Sequence, residues 1–366
     1  MLTRSLAGET PETVVGKTFI FKKLTDTARR IARALTLGLC AGFALSTAPG
    51  SFAQDTKMAP KPGPTTLRVV TYSHGADFYR PFADEFRKAQ AGSDVVLASG
   101  QSNRMVEAVL TGDEANIVAM SGIGELAPLV NAKLLPEDWI KASPNNSVPF
   151  TSIISFMVRK GNPRGVKDWA DLARPGVAVI VASPLSSGTG RYTYLSAWYS
   201  QLKAGKSEAE ARKFVSTIFT ANASVTGGGR RGSSSVFQET ASLDVLLTYE
   251  SEILRIMEKN PGKYEIVRPS LSVLCEFPVV AVEKHTAKHQ NAPLAAAFIA
   301  QLYTPDAQRL AAKFGYRSIL PDVAKDFAAN FPPQETFRAE QVFGPWPEIM
   351  SKHFSPGGEY EKMLGL

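Results

Sequence analysis

The stretch Ser186-Ser187-Gly188-Thr189-Gly190-Arg191-Tyr192 decides how this chain is read. It follows an apolar run over 177–182 that predicts a buried strand, and it leads into Tyr194, Leu195, Trp198 and Leu202 at helical spacing. A Ser/Gly loop therefore joins a strand to a helix N-terminus. There the first backbone N–H groups lack intrahelical partners and the helix dipole is positive, so the loop can hold an anion. Gly188 and Gly190 permit close backbone approach, while Ser186, Ser187 and Thr189 offer hydroxyls. The same residues also suit an ordinary N-cap, so this loop alone leaves both readings open.

Similar units recur on either side. Residues 66–72 predict a strand, Ser73-His74-Gly75-Ala76 a turn, and 77–90 a helix with Phe78, Phe82 and Phe86 on one face. A strand at 94–99, a loop at Gly100-Gln101-Ser102-Asn103, a helix at 104–110 and a strand at 116–121 follow. A second series has strands at 152–159, 177–182 and 243–249, a helix around 207–220, and a Gly/Ser loop at 227–235 with a helix after it. Further strands are expected at 264–267 and 279–282, and helices at 293–303 and 306–314. This alternation predicts an α/β fold of two lobes, each a mostly parallel sheet flanked by helices. Ligands of such sheets bind at the strands' carboxyl ends. Four loops there carry Ser or Gly: at Ser73, at Ser102, at 187–189 and at 229–234. A cleft between the lobes would gather all four.

Composition is globular, with 44% hydrophobic and 20% charged residues in 366. Of the formal charge of +7, residues 1–53 hold seven Lys/Arg against three acids, so the basic pI is partly a leader property and gives nucleic-acid binding little support. Arg29, Arg30 and Arg33 precede an uncharged apolar run at 34–45, and small residues lead to a cleavage position after Ala53, which predicts an export signal. The run is too short to span a bilayer as a helix. A Pro-rich linker, Ala59-Pro60-Lys61-Pro62-Gly63-Pro64, follows. Of the two cysteines, Cys40 falls in the leader and Cys275 in an apolar run, so no intrachain disulfide is expected after cleavage. The four histidines are scattered. His285 and His289 share a helical face without a ligand pattern and read as a solvated pair, and no metal site is expected. His74 reads as a turn residue. Gly-x-Ser-x-Gly is absent, as is a phosphate loop ending Gly-Lys-Ser/Thr, which argues against a hydrolase and a nucleotide site.

From about residue 66 to the C-terminus the chain resembles the periplasmic sulfate/thiosulfate-binding proteins of ABC transporters. The resemblance rests on many spaced motifs: Pro144-Asn145-Asn146-Ser147, Val158-Arg159-Lys160-Gly161-Asn162-Pro163, Lys167-Asp168-Trp169, Ser186-Ser187-Gly188 through Leu195, Glu276-Phe277-Pro278-Val279, and Val342-Phe343-Gly344 with Trp346-Pro347-Glu348. It implies a two-lobe type II periplasmic-binding-protein fold with the ligand in the interlobe cleft. Ser102 matches a hydroxyl donor of the first lobe, and Ser187 and Gly188 match donors of the second, with Thr189, also expected at the ligand, standing where many members have Gly or Asn. Ser73 stands where members commonly have Asp and would serve through its N–H. Arg230 stands where a backbone N–H is used, and Arg231 matches an Arg beside the ligand. Tyr249 replaces the Trp of sulfate binders or the Phe of thiosulfate-type members. Behind these, Glu250 is expected to pair with Arg231.

The chemistry agrees with that resemblance. Sulfate carries two charges and no proton near neutrality, so N–H and O–H donors at helix N-termini can satisfy it without a paired cation. About five to seven such charge-assisted bonds, at ~1.5–3 kcal/mol each, support tight binding after desolvation. Phosphate keeps a proton and needs an acceptor, and apart from Glu250 the mapped loops show no carboxylate. The expectation is a monomeric receptor without turnover or cofactor that delivers sulfate or thiosulfate to a membrane permease and binds no nucleic acid. Its parts are a signal peptide (1–53), a linker (54–65), a first lobe (66–154 and 283–336), a second lobe (155–282) and a C-terminal segment packing on the lobes (337–366). Molybdate, tungstate or phosphate are the competing ligands, and a serine hydrolase is the reading from another class.

Overall fold

The computed structural model describes residues 62–221, 223–226 and 232–365. The export signal, its cleavage position, Cys40, Arg230 and Arg231 lie outside the described residues. In chain order the strands are β1 (Thr66–Tyr72), β2 (Asp94–Gly100), β3 (Ile117–Ala119), β4 (Phe150–Arg159), β5 (Val179–Ala182), β6 (Ala223–Thr226), β7 (Val245–Tyr249), β8 (Tyr264–Val267), β9 (Leu271–Glu276), β10 (Val279–Ala281), β11 (Arg317–Ser318) and β12 (Glu335–Phe337). The helices that matter here are α1 (Gly75–Ala89), α2 (Ser102–Leu110), α3 (Gly188–Lys203), α4 (Ser233–Glu239), α5 (Glu250–Lys259), α6 (Ala292–Gln301) and α7 (Pro305–Lys313).

The first sheet has the order β10-β3-β1-β2. Its centre is β1, parallel to both β2 and β3, and Leu67, Val69 and Val70 are wholly buried. Burial on both faces is what a parallel strand between helical layers requires, hence the apolar run rather than strict alternation. On one side α1 lays down Phe78, Phe82 and Phe86, and Phe298 of α6 meets the last two edge-on at centroid distances of 4.9 and 5.1 Å. This helix starts at Gly75, earlier than the sequence pattern places it. A Cβ on Gly75 would lie 2.5 Å from Thr71 Oγ1, so glycine lets the first turn close directly onto the end of β1.

The second sheet runs β12-β9-β4-β7-β5-β6, with β8 and β11 also on β4. Here β5 is parallel to β6 and β7, whereas β4 is antiparallel to β7, β8 and β9. The β4 strand is ten residues long and buried at all but its last position. It begins at Phe150 because that ring fills an aromatic cluster with Phe78 (5.0 Å) and Tyr316 (4.6 Å). Thus β4 joins the aromatic packing under the first sheet to the hydrogen-bonded ladder of the second. Before it, Asn145, Asn146 and Ser147 take left-handed conformations with φ of 51°, 61° and 59°. Asparagine tolerates these, and Ser147 Oγ donates to the Trp139 carbonyl at 3.0 Å, anchoring the costliest of the three.

Two expectations change. His285 and His289 are not a solvated pair: His285 is buried with Nδ1 2.8 Å from the Ala115 carbonyl, and His289 bridges Asn116 and Glu114. They dock the segment after β10 against the loop leading into β3. The helix around 207–220 is a shorter α-helix, Glu208–Ser216, opened by a capping box between Ser207 and Glu210 and ending in a π-turn over Thr217–Ala221. Cys275 is a buried thiol. Near the C-terminus, Trp346 packs edge-on against Tyr192 of α3 at 5.6 Å and lies flush on Gly124, where a Cβ would come within 2.4 Å of the indole.

Candidate functional site

Five strands of the two sheets end around one cavity of about 240 Å³. From the first sheet come Ser73 and His74 after β1, Ser102 after β2, and Ser121 just past β3. From the second come Ser186, Ser187 and Thr189 after β5, and Thr248 and Tyr249 at the end of β7, with Gly232–Ser235 at the start of α4. Three helices, α1, α2 and α3, begin at its wall, and their N-cap residues His74, Gln101 and Ser187 make no side-chain capping bond. First-turn N–H groups left uncapped by their own N-cap side chains are what an anion-binding helix terminus presents. Ser187 differs in this from Ser207, whose hydroxyl does cap its helix.

The cavity brings together Ser73, Ser102, Ser187, Thr189 and Tyr249. Gly188 opens α3 with its Cα turned to the opposite wall, where a Cβ would stand 2.7 Å from Ser121 Oγ and 2.8 Å from Glu125 Oε1. Arg230 and Arg231 lie outside the described residues, so the structure places neither. Glu250 is fully buried and held by Arg268 and Arg317, which both donate to its carboxylate; its expected pairing with Arg231 falls on a residue outside those described.

Tyr249 is buried at 2% exposure, and its hydroxyl donates to the Ser121 carbonyl at 2.9 Å. Its single proton therefore ties β7 of the second sheet to the end of β3 in the first. Thr189 also hydrogen-bonds this hydroxyl, and burial pushes the phenol well above its ordinary range. The resemblance implies a donor to the ligand at this position; in the structure the hydroxyl proton goes to the Ser121 carbonyl, while the residue lines the cavity.

Glu252, in the first turn of α5, overturns the expectation that the mapped segments carry no carboxylate but Glu250. It lines the cavity at 6% exposure. Burial disfavours its charge, but the His74 imidazolium and hydrogen bonds from His74, Ser234 and Thr248 outweigh that and hold the carboxyl at about 2. His74, half-exposed, faces it at 3.0 Å and is raised chiefly by the Glu252 charge. Three donors fill most of the roughly four lone-pair positions of this carboxylate, so it offers the cavity few free acceptor positions. The pair also separates the cavity from a neighbouring one of about 270 Å³, since His74 and Glu252 line both.

Sequence reasoning missed Ser121, Thr248, Glu125 and the His74–Glu252 pair. Ser121 ends the expected third strand and could have been found by the rule that led to Ser73 and Ser102. Glu125 carried no local signal. It is buried beneath Ser121, accepting its N–H at 2.9 Å and its hydroxyl at 3.0 Å, with Arg191 Nη1 4.0 Å away. Among the described residues no group of three His, Cys, Asp or Glu could hold a metal ion, and no helix is long and apolar enough to cross a membrane.

Known proteins share this architecture. A family described as bacterial extracellular solute-binding protein matches residues 67–317. The thiosulfate-binding protein of Pseudomonas aeruginosa is 36% identical over 304 residues, covering 81% of this chain and 91% of its own. The sulfate-binding protein of Salmonella typhimurium is likewise 36% identical, covering 81% and 92%. Among solved structures, the sulfate-binding protein SubI from Mycobacterium tuberculosis superposes with a TM-score of 0.71 at 30% identity, over 80% of this chain and 100% of that one. The fold is thus the two-sheet α/β architecture of type II periplasmic binding proteins, and the chain belongs to the family of bacterial extracellular solute-binding proteins.

Proposed function

We propose that this protein is a periplasmic receptor that binds sulfate or thiosulfate in the cavity between the two sheets and delivers it to an ABC-type permease, without turnover. One observation carries the reading. The uncapped N-termini of α1, α2 and α3 and the hydroxyls of Ser102, Ser187 and Thr189 meet at one cavity at the strands' carboxyl ends. Such a site stabilises a divalent oxyanion through dipoles and donors rather than a single countercharge. The resemblance assigns Ser73, Gly188 and Arg230 to it through their backbone N–H groups, and Arg231 a supporting role beside them. The relatives named for thiosulfate and sulfate support the ligand class.

Residues 66–154 with 283–336 form one lobe in this reading and 155–282 the other. The crossings in β4 and around 277–282 act as hinges, and 337–366 packs across them. Closure traps the anion and presents a surface to the permease. Residues 1–53 direct export and are removed, leaving a monomeric mature protein. Calorimetric titration of that protein with sulfate, thiosulfate, phosphate and molybdate tests the assignment. Saturable binding of sulfate or thiosulfate, tighter than phosphate and weakened in Ser187→Ala, is expected. Binding of phosphate or molybdate in preference to both would refute it.

A further inference from the structure

Glu125, Ser121 and Ser102 form a line running from a buried carboxyl to the cavity wall. Ser121 Oγ lies 3.0 Å from both Glu125 oxygens, and Ser102 Oγ lies 2.9 Å from Ser121 Oγ. Ser102 and Ser121 both line the cavity, at 6% and 3% exposure. Each hydroxyl has one proton to direct. With Glu125 ionised, Ser121 donates to the carboxylate and Ser102 donates to Ser121 or to the carboxylate itself, so Ser102 turns only lone pairs to the cavity. With Glu125 protonated the order reverses: the carboxyl donates to Ser121, Ser121 to Ser102, and the Ser102 proton is released toward the cavity.

We propose that Glu125 is a positioning residue that sets the direction of this hydroxyl chain, so that the oxyanion is bound together with one proton taken from solvent onto the Glu125 carboxylate. The inference rests on the oxyanion reading above. Among the described residues, the charged and titratable groups facing Glu125 from packed elements are Arg191 of α3 and Tyr249 of β7. Burial raises the carboxyl toward the protonated form, and the Arg191 charge and the serine hydrogen bonds oppose it. The direction of the chain is thus set by what meets Ser102, and a divalent anion there favours the arrangement that points a proton at it. Linkage sets the sign: affinity falls as pH rises above the carboxyl's range in the free protein, by at most tenfold per unit for one proton.

The test is sulfate titration calorimetry of the mature protein in buffers of different ionisation enthalpy, from about pH 5 to 8.5. The parent is expected to take up a proton on binding and to weaken with rising pH. In Glu125→Gln the amide carbonyl still accepts the Ser121 N–H while its NH₂ donates to Ser121 Oγ, which locks the chain outward. That variant should show no proton uptake, a flat profile and tighter binding than the parent at the high end of that pH range, where the parent has weakened by up to tenfold per unit. Ser102→Ala should abolish the uptake, and adding Glu125→Gln to it should change nothing further. A parent that binds without taking up a proton overturns the proposal. So does a Glu125→Gln gain that persists in the Ser102→Ala background, which would assign the effect to the Arg191 charge. A parent that binds neither sulfate nor thiosulfate removes the receptor reading itself.

Discussion

Replacing Tyr249 with Phe separates two roles that sequence alone leaves fused. The ring packs edge-on against Phe277 at 5.1 Å and would stay in place, so the change removes one hydroxyl. That hydroxyl donates to the Ser121 carbonyl at 2.9 Å in a region with almost no solvent access. The carbonyl is left buried without its donor, which costs about 1–3 kcal/mol, or roughly fivefold to 150-fold in an equilibrium constant. The bond joins the end of β7 to the end of β3, so in a closing receptor the cost falls on the closed, ligand-holding form. We expect sulfate and thiosulfate to weaken by the same factor, about tenfold, with thermal unfolding of the ligand-free protein shifted by little. Calorimetry with both anions and a melting curve measure all three quantities. A changed sulfate-to-thiosulfate ratio would show that Tyr249 touches the anion and that the bracing argument is wrong.

Glu250→Gln should lower stability by about 3–5 kcal/mol while leaving the affinity of the folded fraction intact, because it strips the charge from a buried carboxylate held by Arg268 and Arg317; chemical denaturation checks this, and an unchanged midpoint would refute it. Gly190→Ala should destabilise the fold by about 1–3 kcal/mol, since its Cβ would press within 2.4 Å of the Ala182 carbonyl, whereas Gly188→Ala should chiefly weaken anion binding by wedging Ser121 and Glu125 away. Equal effects of the two on melting temperature would count against that division. Glu252, depressed to about 2, contributes stability above about pH 4.5 that is lost as pH falls through 2. His74, raised above its ordinary value, contributes below about pH 6.5 and loses this as pH climbs through its folded value. The melting temperature should therefore peak between about pH 4.5 and 6.5 relative to His74→Ala, and parallel pH profiles for the two proteins would disprove the pairing.

Much of this molecule is legible in the amino-acid order, because the signals are local. A run such as 177–182 followed by Ser, Gly and a helical stripe specifies strand, loop and helix N-terminus through short-range sterics and hydrogen bonding. Repetition of that unit gives the α/β class and places Ser73, Ser102, Ser187 and Thr189 at strand ends. What the order of residues leaves open is which groups meet across the sheets. Tyr249 and Ser121 are 128 positions apart, and His74 and Glu252 come from different sheets. A hydroxyl's direction and a carboxylate's charge depend on their partners within about 3 Å and on exclusion of water, and both are set by how β4 and the aromatic cluster bring the sheets together. Hence Glu250 and Glu252, two residues apart in one motif, part company: one becomes a buried strut for two arginines, the other a wall of the cavity.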